Sequence, residues 1–247
     1  MRLFLLALAS LLGFSSAQAL EVNVAPAMRT YPSSASAEIN ARHEFLIWDQ
    51  RDQALWKFGF IQPKVTLGAH GLAEGSLQIY PISILELGAG YGTTSRFYDT
   101  KTFNCDDVIC RGIVQRHRLT ARLVGAVGDF LAVATHHRIR ISTGDDSKPL
   151  ADESEVLLAT SGGDTFEATS LLLGMKRDTE MFGVYAKQGR YLEARTENQA
   201  QYLIYRKQDG VWSYAGGLGR YASDFSEPGF SAYATVVWTW GSTISLF

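Results

Sequence analysis

Residues 230–247 read FSAYATVVWTWGSTISLF. Ala232, Ala234, Val236, Trp238 and Trp240 recur at every second position, followed by Ile244 and Leu246. Ser231, Tyr233, Thr235, Thr239, Gly241, Thr243 and Ser245 fill the alternate row, with Val237 breaking it. Successive side chains of a strand point to opposite faces, so this stretch is a ribbon with one apolar and one mildly polar side. It carries no charged residue. The water-facing row of a soluble sheet is usually dense in Lys, Glu and Asp. Hydroxyls and glycines in that row suit a barrel lumen, with the apolar row turned to lipid.

The same alternation recurs upstream. Leu77, Ile79, Pro81, Leu85, Leu87, Ala89 and Tyr91 oppose Gln78, Tyr80, Glu86, Gly88 and Gly90. Leu119, Ala121, Leu123, Gly125 and Val127 oppose Arg116, Arg118, Thr120 and Arg122. Leu131, Val133, Ile139 and Ile141 oppose His136, Arg138 and Arg140, with His137 on the apolar side. The pattern predicts about ten strands, within a range of eight to twelve, over 40–48, 54–69, 76–91, 113–127, 130–142, 166–175, 181–193, 200–207, 211–222 and 230–240. The stretch Glu155 to Ser161 reads either as a loop hairpin or as part of an extra strand pair. Short connections (His70 to Gly75, Gly128-Asp129, Lys176 to Glu180, Gln208 to Gly210) take turns with longer ones (Thr93 to Gly112, Thr143 to Thr165, Ala194 to Gln199, Ser223 to Gly229). That layout belongs to an up-and-down barrel with short periplasmic turns and longer external loops.

Composition agrees. The 247 residues are 46% hydrophobic and 19% charged, with 23 Gly and abundant aromatics (13 Phe, 11 Tyr, 5 Trp). This excludes disorder. Past the first residues no apolar run reaches the ~18–20 residues of a spanning helix. A net charge of −2 gives no basic excess for nucleic acid. Met1-Arg2, the apolar run Leu3 to Phe14 and the small residues of Ala17-Gln18-Ala19 predict a secretory signal over 1–19, cleaved after Ala19. Residues 20–39 (Pro-, Ser- and Ala-rich) read as a flexible lead-in, and 40–247 as the barrel. Cys105 and Cys110, in an exported chain, are expected to form one local disulfide in an external loop rather than half of a metal site.

Taken together, these features resemble the Gram-negative outer-membrane β-barrel proteins. Members of that class end in an aromatic, with apolar residues at every second position before it, a pattern read by the barrel-assembly machinery. Phe247 has the expected identity but stands out of step with Leu246 and Ile244. The row Ala232, Ala234, Val236, Trp238 and Trp240 fits, so the signal can end at Trp240. The resemblance implies an outer-membrane location and contact with outer-membrane lipids and lipopolysaccharide, and a monomer is favoured. Trp212 with Tyr214, Tyr202 with Tyr205, and Trp238 with Trp240 sit near strand ends, where interfacial aromatic belts form.

For function, the most concentrated polar feature is basic. Arg116, Arg118, Arg122, His136, Arg138 and Arg140 are expected to line one lumen wall, with Glu86 as partner and Glu167 as a second. Such a wall either favours anions in a narrow pore or fills the barrel as an ion-pair network. The acidic segment Thr143 to Thr165 (Asp145, Asp146, Asp152, Glu153, Glu155 and Asp164 against Lys148) reads as a solvated external loop, without the ligand spacing of a calcium site. No catalytic signature is present, so no catalytic residue, cofactor or metal is assigned. The expected protein is a non-enzymatic barrel with a structural, surface-loop or narrow-pore role. An outer-membrane hydrolase or lipid-modifying enzyme and a soluble periplasmic ligand-binding barrel are the alternatives.

Overall fold

A computed structural model describes residues 20–31, 33–49, 58–97 and 102–241. The signal segment, residues 54–57 of the expected second strand and the terminal Phe247 lie outside the described residues. Fifteen strands follow in chain order: β1 (Leu20–Thr30), β2 (Ser33–His43), β3 (Phe45–Asp49), β4 (Phe58–Gly68), β5 (Leu72–Ile82), β6 (Leu85–Arg96), β7 (Gly112–Val127), β8 (Phe130–Thr143), β9 (Leu150–Asp152), β10 (Leu157–Ala159), β11 (Gly163–Arg177), β12 (Glu180–Tyr191), β13 (Glu197–Asp209), β14 (Trp212–Ser223) and β15 (Ser226–Trp240).

The sheet is antiparallel and closed. Its order is β2-β1-β15-β14-β13-β12-β11-β8-β7-β6-β5-β4-β3, and a β2–β4 pairing joins the ends. β3 continues the line of β2 past Glu44 and pairs with the lower part of β4, so twelve strand positions form the wall among the described residues. Closure removes the long free edges that an open sheet of this size would expose; among the described residues, only the short β3 of this sheet pairs on one side alone.

Twelve is the top of the expected range, and the two additional strands have definite origins. The expected lead-in is not flexible: β1 pairs with β15 on one side and β2 on the other, Val24 facing Trp238 and Ile39. Residues 76–91, expected as one strand, split between β5 and β6 at a turn over Ser83-Ile84. An irregularity between Ile79 and Ile82 keeps Leu77 opposite Ala89 and Ile79 opposite Leu87, so odd positions stay on one face across the turn. The unbroken alternation therefore conceals it. The extra turn also moves the Ala69–Gly71 connection to the end of the barrel that carries the long loops.

Between β7 and β8, Gly128 at φ +56° closes a two-residue turn that sets Val127 opposite Phe130. The two paired residues must point the same way. Since Leu119, Leu123 and Val127 face outward, so do Phe130, Ala132, Ala134, His136, Arg138 and Arg140. Leu131, Val133, Ile139 and Ile141 then face the lumen, the reverse of the expected assignment for this strand.

The outer surface carries an apolar band. Leu77, Leu87, Leu119, Leu123, Leu171, Leu173, Val184, Leu203 and Leu218 are all exposed. At the turn end it is edged by Phe130, Phe182, Tyr205, Trp212, Tyr214 and Trp240. Tyr202, expected beside Tyr205 in that girdle, points inward and is buried with Ser231.

Candidate functional site

Strand-to-strand alternation gives the lumen its chemistry. β6 turns Glu86, Gly88, Gly90 and Gly92 inward, and the glycines leave room for the long side chains of neighbouring strands. A Cβ at Gly92 would stand 2.8 Å from Cα of Glu74, and one at Gly90 would stand 3.4 Å from its Oε1. Into that space project Arg118 and Arg122 from β7, Glu74 from β5 and Lys64 from β4. Arg118 Nη2 lies 3.2 Å from Glu74, and Arg122 Nη1 lies 3.4 Å from Glu86 Oε2. The same Glu86 oxygen accepts from the Tyr80 hydroxyl at 2.9 Å. Thr120 Oγ1 meets His137 Nδ1 at 3.1 Å. These groups, with Ser76, Gln78, Thr135, Ser170 and Tyr185, line a cavity of about 330 Å³ within the barrel. Glu86 is thus the partner expected of Arg122. Below, Phe58, Phe60 and Tyr80 stack in the lumen, Phe60 and Tyr80 at 4.0 Å between centroids.

Of the expected basic wall, Arg116, Arg118 and Arg122 face the lumen. His136, Arg138 and Arg140 stand on the outer surface, for the turn geometry given above. There Arg138 Nε lies 3.7 Å from Glu167, Arg190 Nη2 3.5 Å from the same carboxylate, and Arg140 Nη1 3.6 Å from Glu193.

The acidic segment is not a solvated loop. Its centre enters the loop end of the barrel as the hairpin β9–β10, with Leu150, Ala151, Val156 and Leu157 fully buried. Leu150, Leu157 and Ala159 pack on the inward side chains Val114, Ile141, Phe166, Ala168 and Tyr191. The plug therefore supplies the apolar partner that turns Ile139 and Ile141 inward. The half-buried acids Glu155 and Asp152 each have a partner from the wall. Lys187 Nζ holds both Glu155 oxygens at 2.7 and 2.6 Å, and Asn198 adds bonds to the Glu155 carbonyl and carboxylate. The Tyr191 hydroxyl donates to Asp152 at 2.7 Å. Burial pushes the Asp152 carboxyl up, but Arg96, Ser154, Tyr191 and Arg116 together outweigh it and hold the group below the ordinary carboxylate range. Asp164, fully buried, accepts from the backbone amides of Thr165, Glu193, Ala194 and Thr160 at 2.6 to 3.3 Å. It ties the base of the segment to the β12–β13 turn.

The cysteine loop forms a second layer. Cys105 and Cys110 are joined, Cα atoms 5.6 Å apart. Ile109 bridges Leu150 in parallel register, and Ala151 N donates to Ile109 O at 3.1 Å. A loop hairpin is one of the two readings of Glu155 to Ser161, and β9–β10 is that hairpin. Sequence reasoning missed that it enters the barrel, though the apolar run Val156 to Ala159 inside an otherwise charged segment was the available signal.

No protein-family model matches the chain, and no curated protein matches it by sequence. Solved structures do match in fold. An outer-membrane channel of Pseudomonas putida F1 superposes with a TM-score of 0.55 at 13% identity, covering 90% of this chain and 95% of that one. OmpT of Vibrio cholerae (TM-score 0.46, 9% identity, 92% and 99% covered) and the β domain of the Bordetella autotransporter BrkA (0.43, 9%, 90% and 98%) are more distant. The chain has the closed antiparallel fold of the outer-membrane β-barrels.

Proposed function

We propose that this chain is an integral outer-membrane barrel forming a narrow pore without catalytic activity, shut at its outer end by the β9–β10 plug. Export by the 1–19 signal precedes assembly by the barrel machinery, which reads the row ending at Trp240. The outer surface supports the membrane placement. From Val127 to Leu119 the outward row of β7 is apolar, and at ~3.4 Å per residue and a tilt of about 40° it is about 21 Å tall, near the ~25 Å of a bilayer band. An aromatic edge at the turn end suits the interface.

The single observation that carries the pore reading is how the plug is held. It is a single inserted hairpin, held to the wall by a small apolar cluster together with ion pairs and hydrogen bonds, and it lies over a polar cavity. Replacing 150–159 with a short Gly-Ser bridge should convert a silent or rarely opening protein into one with steady single-channel steps in planar bilayers. If the truncated, heat-modifiable barrel remains silent, the lumen is structural fill and the pore reading fails.

A further inference from the structure

We infer that Arg138, Arg140 and Arg190, on the outer surface of β8 and β12, form a binding site for the phosphate groups of lipids in the surrounding outer leaflet. The inference goes beyond the pore and rests only on the membrane placement proposed above.

Height is the first support. From the turn end, β8 presents Phe130, Ala132 and Ala134 outward, then His136, Arg138 and Arg140. At ~3.4 Å per residue and a tilt of about 40°, Arg138 and Arg140 stand about 21 and 26 Å above Phe130, at the outer boundary of a ~25 Å apolar band. β11 and β12 repeat the change. Leu173 and Leu171 give way to Thr169 and Glu167, and Val184 and Ala186 to Gln188 and Arg190. Charges at this level meet lipid headgroups instead of acyl chains.

Geometry is the second. Glu167 pairs across the sheet with Arg138 on one side and Arg190 on the other, which places their Cα atoms about 10 Å apart on strands spaced ~4.8 Å and brings both guanidiniums to one carboxylate. Three guanidiniums face two carboxylates, Glu167 and Glu193, so the patch keeps a positive excess. Every ion pair in it is between 3.5 and 3.7 Å, too long for a tight hydrogen bond. The side chains of Arg138, Arg140 and Arg190 are 56%, 59% and 61% exposed. Arg140 Nη1 also donates to Thr165 Oγ1 at 3.4 Å. With five N–H donors apiece, the guanidiniums keep donors beyond these contacts, in the planar fork that suits phosphate oxygens. His117 opposite Arg140 and His136 opposite Thr169 extend the polar surface.

The test uses the full folded protein in detergent micelles, incubated with diphosphorylated lipid A or its enzymatically dephosphorylated form, with retained lipid counted by native mass spectrometry. The wild type should retain the phosphorylated form selectively. The double variant Arg138→Gln/Arg190→Gln should retain about tenfold less, and Lys207→Gln, at the opposite rim, should match the wild type. Glu167→Gln removes the competing carboxylate and should raise retention; an internal ion-pair network without a ligand would not gain by that change. Heat-modifiable gel mobility checks that each variant is folded. Equal retention by the double variant, loss of selectivity for phosphate, no gain in Glu167→Gln, or displacement of the lipid by millimolar inorganic phosphate would each overturn the site. A chain that stays soluble and folded without detergent fails the membrane placement itself, before any lipid is added.

Discussion

Glu86 shows how one side chain in the lumen is constrained from several strands. It is buried, it accepts from Tyr80 and it faces Arg122. Replacing Arg122 with Leu removes its cation and leaves the carboxylate with one donor. The cost should be about 1–2 kcal/mol, below the ~3–5 of a fully buried pair, because the Arg122 side chain is 45% exposed to the lumen. The urea midpoint should fall accordingly, and adding Glu86→Gln should recover part of the loss. An unchanged or higher midpoint in Arg122→Leu would mean that the two side chains do not meet. Asp164 is a stronger case, since four backbone amides converge on one buried carboxylate. Asp164→Ala should lower stability by about 3 kcal/mol and expose the segment 143–165 to protease before the barrel melts.

At the scale of elements, the plug depends on acids whose partners come from the wall. Asp152 sits below the ordinary carboxylate range when the hairpin is seated and returns to about 3.9 when it is released. The seated state then binds fewer protons near that pH. Its contribution is complete above about pH 5 and is lost as the pH falls through the depressed value. Protease cleavage within 143–165 should stay constant from pH 7 to 5 and rise only below about pH 4. A rise already at pH 6 would place the control of the plug elsewhere. β8 illustrates why element type was legible and facing was not. Its alternation was plain, but the weight of Leu131, Val133, Ile139 and Ile141 suggested an apolar outer face. The two-residue turn at Gly128-Asp129, visible in the sequence, requires the opposite.

For the whole molecule, the sign of one substitution separates a barrel in lipid from one in water. Leu171 is outward and 43% exposed, opposite Ala134 and near the middle of the apolar band. Leu171→Arg should cost about 2–4 kcal/mol in a bilayer, read from urea unfolding in vesicles. In a soluble barrel the same change on an exposed leucine would be close to neutral.

The sequence by itself determined the fold class, the outward row of β15, the local disulfide and the Arg122–Glu86 pair. Each of these depends on period-two alternation or on short separation along the chain, both of which are local. Only the tertiary structure decided that residues 20–39 complete the ring and that an acidic loop becomes its plug. Those outcomes depend on what lies opposite each side chain across the closed sheet. An apolar residue facing a folded loop inside the barrel looks the same in sequence as one facing outward, because both escape water and only the partner differs.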